Sequence, residues 1–285
     1  MFGVYENNKI RKMPSLVKWV GGKNLLFKVL RKNIPLEFNT YYEPFFGGGT
    51  LFWNLKNEGK ISRAIISDVD RSLINLLTTV KENPHDLAAE VANFQDLGDK
   101  ENYYLIRSEF NSLISSNIDP VRQAAMFIYL NRNCFNGLWR TNRRGEFNVP
   151  HGGYKKYHIP SEEEILFYYK MLEGTQILLG DYKFILNRVQ GGDFVYLDPP
   201  YVRTRKTQFS QYSFKTFDDS SIDQLYDVIS ALDRQGAYFL LTNRYCEEIS
   251  EKFEKFGQKI AVNSWAVNSN GANRKGNLEI LIRNF

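Results

Sequence analysis

The chain has 285 residues, 43% of them hydrophobic, with 37 Lys and Arg against 32 Asp and Glu, a net charge of +5. That suits one large α/β domain, or one carrying a sizeable insertion, and excludes global disorder. No apolar run approaches the roughly 18 to 20 residues needed to cross a bilayer, the start Met1-Phe-Gly-Val-Tyr-Glu6 does not read as a secretory signal, and Cys134 and Cys246 do not make a disulfide framework.

Helical spacing runs from Asn24 to Lys32 and stops at Pro35. Tyr41-Tyr-Glu-Pro44 reads as a short strand entering a turn, Gly47-Gly-Gly49 as a loop, and Thr50 to Leu55 as the start of a helix. Ala64-Ile-Ile66 is a buried strand ending at Asp68, after which Asp70 caps a helix. From about Asp70 to Asn133 only helical patterns occur, one of them opened by Asp119-Pro120. Cys134 to Lys156 contains Asn136-Gly137 and Arg144-Gly145 and reads as a hairpin-like loop. Ser161-x-x-Glu164 is a capping box.

Strand and helix then alternate again. Gln176–Leu179 is a strand ending at Gly180-Asp181, and Asp193–Leu197 a strand ending at Asp198. Ser221–Arg234 is an amphipathic helix, Ala237–Leu241 a strand and Tyr245–Phe256 a helix. Two last strands, near Ile260–Val267 and Leu278–Ile282, flank Asn270-Gly271. The pattern predicts an α/β sheet domain over residues 1–70 and 161–285, interrupted by a helical insert over 71–160.

The positive charge is concentrated. Lys9, Arg11, Lys12, Lys18, Lys23, Lys28, Arg31 and Lys32 fall in an acid-free run from Asn7 to Leu36. Arg132 to Lys156 holds six basic residues and one acid, Glu146; Pro200 to Thr216 holds Arg203, Arg205, Lys206 and Lys215 and no acid. Any one run could be a solvated face, but three of them beside candidate loops point to a polyanion.

Open α/β sheets bind ligands at the carboxyl ends of their strands. Three such ends stand out. Glu43-Pro-Phe-Phe-Gly-Gly-Gly49 lets the backbone approach a ligand in front of a helix N-terminus, unless it is only a tight turn. It is neither a Walker A loop nor a dinucleotide fingerprint, because no Gly-Lys-Ser/Thr follows and Phe52 takes the third glycine position. Asp68 stands where a carboxylate holds ribose hydroxyls, although such residues also cap helices. Asp198-Pro-Pro-Tyr201 offers a carboxylate, carbonyls freed of local donors and a flat ring, a set that can hold an amino-bearing base.

Lys18-Trp-Val-Gly-Gly-Lys23, Glu43-Pro-Phe-Phe-Gly-Gly-Gly49 and Asp198-Pro-Pro-Tyr201, in this order, closely resemble the Dam-type DNA adenine-N6 methyltransferases of the alpha group. The insert joins the resemblance through Phe135-Asn-Gly-Leu138, Arg144-Gly-Glu-Phe-Asn-Val-Pro150 and Tyr154-Lys-Lys156, and so do Gly180-Asp181 and Ser269-Asn-Gly271. The family implies a Rossmann-like sheet that binds S-adenosyl-L-methionine, with S-adenosyl-L-homocysteine as product and no metal. It places Trp19, Gly22 and Lys23 by the cofactor, and Glu43, Phe45, Gly47 and Gly49 around its methionine part. Asp68 is implied at the ribose, and Asp181 and Tyr182 at the adenine. Asp198, Pro199, Pro200 and Tyr201 are implied to be catalytic, taking the amino hydrogens of a flipped adenine and stacking on its ring.

Duplex DNA is the implied partner. Phe135 is implied as the wedge, in place of the Tyr of the Escherichia-type pattern. Lys18, Asn136, Leu138 and Arg140 are implied at base edges, with Pro150 and Tyr154 on the same surface. Arg203, Arg205 and Lys206 are expected at phosphates, as are Arg274 and Lys275. Trp139 is bulkier than the pattern leads one to expect. The implied target is GATC, with another GAT-containing site as the alternative. An amino-methyltransferase of RNA or protein amides would carry Asn-Pro-Pro-Tyr and lack the insert, and a silent DNA-binding protein would not need the intact Asp198-Pro-Pro-Tyr201. A cytoplasmic monomer is expected, paired without direct contact to a restriction endonuclease or acting alone.

Overall fold

The computed structural model describes residues 16–19, 23, 26–116, 118–201, 219–264 and 277–285. The chain opens with α1 (Phe27–Leu30), β1 (Tyr41–Glu43), α2 (Thr50–Asn57) and β2 (Ala64–Asp68). Four helices follow: α3 (Arg71–Glu82), α4 (Pro84–Ala92), α5 (Lys100–Ser116) and α6 (Pro120–Asn133). A looped segment then leads to α7 (Glu162–Met171), β3 (Thr175–Leu179) and β4 (Phe194–Leu197). The chain closes with α8 (Asp219–Arg234), β5 (Tyr238–Arg244), α9 (Glu247–Lys252), β6 (Gly257–Ser264) and β7 (Asn277–Arg283).

The strands form one seven-stranded sheet in the order β3-β2-β1-β4-β5-β7-β6. Its pairs are parallel except that β7 runs antiparallel to both β5 and β6. This is the Rossmann-like α/β sheet expected. The chain works outward from β1 to β3 and then returns to the other side of β1, so the order reverses between β1 and β4. Their carboxyl ends therefore flank a crevice at the switch point, and those ends carry Glu43 and Asp198.

Side chains alternate across the sheet. Tyr41, Phe194, Tyr196, Leu240 and Leu281 enter one core with α2, α3 and α6; Tyr42, Val195, Leu197, Phe239, Leu241, Ile280 and Ile282 enter another with α8 and α9. Period-two burial on both faces is what a sheet covered by helices on each side requires. The first core continues without a break into the helical segment, where Ala124 to Leu130 of α6 are fully buried and Phe147 and Val149 of the looped segment pack with them.

Local signals set most helix ends. Asp70 accepts from Ser72 N and Leu73 N at 2.9 and 3.0 Å. Asp119 accepts from Arg122 N, with Pro120 in the first turn of α6, and Ser161 and Glu164 complete a reciprocal capping box on α7. Two helices are shorter than their periodicity. The one predicted over 24–32 is a single turn, α1, tightening into a 3-10 turn over Arg31–Asn33, where Asn33 Nδ2 donates back to Val29 O at 2.7 Å. The one predicted over Tyr245–Phe256 is only α9; beyond it Phe253 and Phe256 turn in against Tyr226 and Phe239. No helix among the described residues is long and apolar enough to cross a membrane.

Candidate active site

The glycine loop follows β1. Gly49 adopts a left-handed conformation, and a Cβ there would lie 2.3 Å from Phe46 Cζ, so the entry to α2 needs glycine. A Cβ on Gly47 would lie 2.7 Å from Trp19 Nε1 and one on Gly48 2.9 Å from Trp19 Cβ: the indole covers this backbone. Asp68, at the end of β2, accepts from Gly47 N through Oδ2 and from Asp70 N through Oδ1, each at 2.9 Å. Its carboxylate thus fastens the loop as well as lining the cleft. Burial lifts Asp68 above the usual aspartate range against the pull of those N–H bonds.

The Asp198 carboxylate sits at the floor of the crevice. Parallel pairing of Leu197 with Leu241 brings it beside Thr242 of β5, whose hydroxyl donates to Asp198 Oδ1 at 3.0 Å. Lys23 Nζ lies 2.9 Å from the same oxygen and 3.7 Å from Glu279 Oε2 of β7. Tyr201 donates to Glu279 Oε1 at 2.7 Å and accepts from Lys23 Nζ at 3.3 Å. Burial opposes the charge on Lys23, yet Asp198 and Glu279 together raise its pKa above the ordinary lysine value. Burial raises Asp198, and Lys23 draws it back. Burial, helped by Glu279, pushes the Tyr201 hydroxyl up to about 12.

Glu43 is buried at the end of β1 and accepts from Tyr41 Oη at 2.7 Å. Burial, reinforced by Asp198 and Asp68, pushes its carboxyl up to about 8. On the far wall, Asp181 caps the turn after β3, and Tyr182 stacks on Phe45 with ring centroids 4.9 Å apart. The Tyr182 hydroxyl is buried and makes no hydrogen bond with the described residues. These groups line one cavity of ≈ 770 Å³ with Trp19, Val69 and Pro199 to Tyr201. That volume is within the range of small-molecule and cofactor sites. Val69 is apolar and 60% exposed at its rim, a surface suited to a flat ring. Among the described residues no group of three or more His, Cys, Asp or Glu is placed to hold a metal ion.

A second cluster forms on the looped segment. Its two limbs pair at isolated antiparallel bridges, Cys134–His151 and Thr141–Phe147, so it doubles back like a hairpin without forming strands. Asn111 of α5 donates to Phe147 O and accepts from Phe147 N, replacing a strand neighbour. Phe135 is 42% exposed beside the Cys134–His151 bridge, its N–H donating to Pro150 O. Asn136, in a left-handed conformation, donates its N–H to Tyr154 Oη at 3.0 Å, and the Tyr154 ring lies 4.8 Å from Lys18 Nζ. Lys18 N and O pair with the Asn131 side chain at 2.7 and 2.8 Å, and Nζ donates to Arg132 O. Burial and Arg132 lower the Lys18 pKa. Arg140 Nε donates to Asn148 Oδ1 at 2.8 Å. Pro150 is exposed, and Leu138 is half-buried against the core.

The expected residues therefore gather at two places: Trp19, Lys23, Glu43, Phe45, Gly47, Gly49, Asp68, Asp181, Tyr182 and Asp198 to Tyr201 around the cavity, and Lys18, Phe135, Asn136 and Tyr154 at the hairpin. Gly22, Arg203, Arg205, Lys206, Ser269-Asn-Gly271, Arg274 and Lys275 lie outside the described residues. Sequence reading passed over Thr242, Glu279, Val69 and Tyr41. Of these, Glu279 carried a signal: an acid inside the apolar strand Leu278-Glu-Ile-Leu-Ile282 is costly to bury without a partner.

Comparison with known proteins gives one picture. The family described as D12 class N6 adenine-specific DNA methyltransferase matches residues 19–268. The type II methyltransferase M.MjaIII of Methanocaldococcus jannaschii is 35% identical, over 94% of this chain and 98% of that protein. The type II methyltransferase M1.LlaDCHI of Lactococcus lactis subsp. cremoris is 33% identical over 98% of each. A DNA adenine methylase of Escherichia coli is 31% identical over 95% of each.

Proposed function

The chain belongs to the D12 class of N6 adenine-specific DNA methyltransferases, and from that premise we propose that it transfers a methyl group from S-adenosyl-L-methionine to the amino nitrogen of an adenine flipped out of duplex DNA, with GATC as its target. The observation that carries this reading is the Asp198 carboxylate, held by Lys23 and Thr242 at the floor of a cavity that the glycine loop also lines.

The cavity fits the donor. Asp198 answers its positive charge, joined by Glu43 once that carboxyl ionises, Asp68 and Asp181 offer acceptors for hydroxyl and amino groups, and Val69, Phe45 and Tyr182 offer apolar faces. When bound, the donor supplies an electrophilic methyl on a sulfonium. An exocyclic adenine nitrogen is a poor nucleophile because its lone pair is delocalised into the ring. Asp198 and the Pro199 carbonyl would accept its two hydrogens, and this favours attack by the nitrogen. Lys23 keeps Asp198 in its acceptor form. Tyr201, anchored by Glu279, would stack on the base. The contribution of these groups is positioning and electrostatics, and S-adenosyl-L-homocysteine leaves as product.

The target is hidden in the duplex, so it has to be extruded. Phe135 would fill the gap. Lys18, Asn136, Leu138 and Arg140 would read base edges beside Pro150 and Tyr154; Arg203, Arg205 and Lys206 would hold phosphates. We assign donor binding and transfer to residues 1–70 and 161–285, and reading of DNA to 71–160. The relatives named as type II methyltransferases suggest a companion restriction endonuclease that does not contact the chain. A cytoplasmic monomer completes the proposal.

The test is incubation of the purified protein with methyl-labelled donor and, in parallel, duplex DNA, RNA and protein. Label is expected as N6-methyladenine in duplex DNA and should vanish with Asp198→Ala. Sequencing of the methylated positions is expected to return GATC. Label confined to RNA or to side-chain amides would overturn the reading, and methylation at a different GAT-containing sequence would overturn GATC.

A further inference from the structure

Trp139 is the hairpin residue whose bulk departs from the family pattern, and it does not face outward. Its ring stacks on Phe147 with centroids 4.4 Å apart, lies 3.8 Å from Phe127 of α6 and meets Phe110 of α5 edge-on. Its indole N–H donates to Asp70 Oδ2 at 2.8 Å. Asp70 is the N-cap of α3, and its other carboxylate oxygen holds Ser72 N and Leu73 N. Its own N–H donates to Asp68 Oδ1, while Asp68 Oδ2 holds Gly47 N. A continuous series of hydrogen bonds, each 2.8 or 2.9 Å long, thus runs from the hairpin to the loop that lines the cofactor cavity.

Both ends of the series are functional in the reading above, on which this inference rests. Leu138 and Arg140 flank Trp139 directly, and Gly47 borders the cavity. The links are stiff. Packed aromatic rings make Trp139 move with its hairpin, and Asp70 ties it to the first turn of α3. A shift of the hairpin on DNA would therefore change the alignment of Asp70 and, one link further, the carboxylate that fastens the glycine loop. By thermodynamic reciprocity the effect must run both ways.

We propose that Trp139 is a positioning residue that couples reading of the duplex to occupancy of the cofactor cavity, through Asp70, Asp68 and Gly47. Correct engagement of DNA by the hairpin tightens cofactor binding, and the bound cofactor tightens the grip on DNA.

The experiment is calorimetric titration of S-adenosyl-L-homocysteine into the full-length protein, alone and with saturating duplex carrying the sequence the enzyme methylates. Trp139→Phe keeps an aromatic ring between Phe127 and Phe147 and removes only the indole donor. Asp70→Asn keeps a capping oxygen for Ser72 and Leu73 and turns an amide toward the indole N–H. Wild type is expected to bind the product about 10-fold more tightly with DNA than without, within the usual 5- to 150-fold range of coupling. In each variant that ratio is expected to fall to within about twofold of one, with affinity for the product alone changed less than about threefold. The double variant should lose no more than either single one, because the two residues form one link. A wild-type ratio of one, or a ratio retained in Trp139→Phe, overturns the coupling and leaves the proposed function standing. Failure of the wild type to bind either the product or the duplex overturns the functional reading, and the coupling with it.

Discussion

Lys23 Nζ stands 2.9 Å from Asp198 Oδ1, although 175 residues separate them and Lys23 belongs to no helix or strand. Lys23 is buried and Asp198 is partly open to the cavity, and each favours the charged form of the other. Replacing Lys23 by Met is expected to leave the partly exposed Asp198 carboxylate without its cation, at a cost below the ~3 to 5 kcal/mol of breaking a fully buried pair. Without the ammonium that draws it down, the Asp198 pKa would rise further and its carboxyl would become a weaker acceptor. We expect kcat for methyl transfer to fall about 100-fold at pH 7, with the acid limb of the pH–rate profile displaced to higher pH. An unmoved acid limb would show that Lys23 does not govern the Asp198 charge.

Glu43 gives a pH dependence of opposite sense to most carboxylates. Its folded pKa, about 8, exceeds the ordinary glutamate value of 4.5. Between these values the native state holds a proton that the unfolded chain releases, so stability falls as pH rises through this window, by roughly 5 kcal/mol in all at one pKa unit per 1.36 kcal/mol. Glu43→Gln removes the dependence. Thermal melts are expected to show the variant more stable than wild type at pH 8.5, with the difference shrinking toward pH 5. Affinity for the cationic donor should instead rise in wild type as Glu43 ionises, and stay flat in the variant. A wild-type melting temperature that climbs from pH 5 to 8.5 relative to Glu43→Gln would contradict the assignment.

Phe135 is exposed and carries little of the fold. Phe135→Ala should leave the melting temperature within about 2 °C, as expected of a surface change. Base extrusion should suffer instead. With 2-aminopurine at the target position, the fluorescence rise on binding is expected to drop severalfold, and kcat/KM about 10-fold or more. Equal fluorescence in the two proteins would remove Phe135 from the extrusion step.

Arg140 tests the reading of bases. Its Nε is tied to Asn148, which orients the guanidinium. Arg140→Ala is expected to reduce discrimination at one guanine position by about 1 to 3 kcal/mol, measured as the ratio of kcat/KM on the target and on single-base variants. A uniform loss on every sequence would make Arg140 a phosphate contact.

The fold and the cavity were legible where local chemistry is decisive. Asp70, Asp119 and the Ser161–Glu164 box fix helix starts by hydrogen bonds within a few residues, and the strand ends at Glu43, Asp68 and Asp198 converge because of the switch in strand order. What was not legible depends on pairing between distant strands. Thr242 reaches Asp198 only through the β4–β5 register, and Glu279 reaches Tyr201 from the antiparallel β7. Periodicity does not encode either contact. The lengths of α1 and α9 were overestimated for a related reason: Asn33 and Phe253 satisfy bonds and burial that end the helix while the apolar spacing continues. Trp139 looked misplaced in sequence because its partner, Asp70, is a helix cap that already had a complete local explanation.

The chain leaves the sheet at Asp68 and rejoins it at Thr175, on the strand hydrogen-bonded to the one it left. The two ends of this excursion are thereby pinned side by side, whatever lies between them. Closing such a loop costs only about 0.6 kcal/mol more for each doubling of its length. Lengthening or trimming the excursion at its exposed turns, such as that at Gly145, therefore costs the sheet almost nothing. Under the proposed division of labour, a scaffold built this way would let the DNA-reading part be exchanged while the sheet that lines the cavity keeps its strand register.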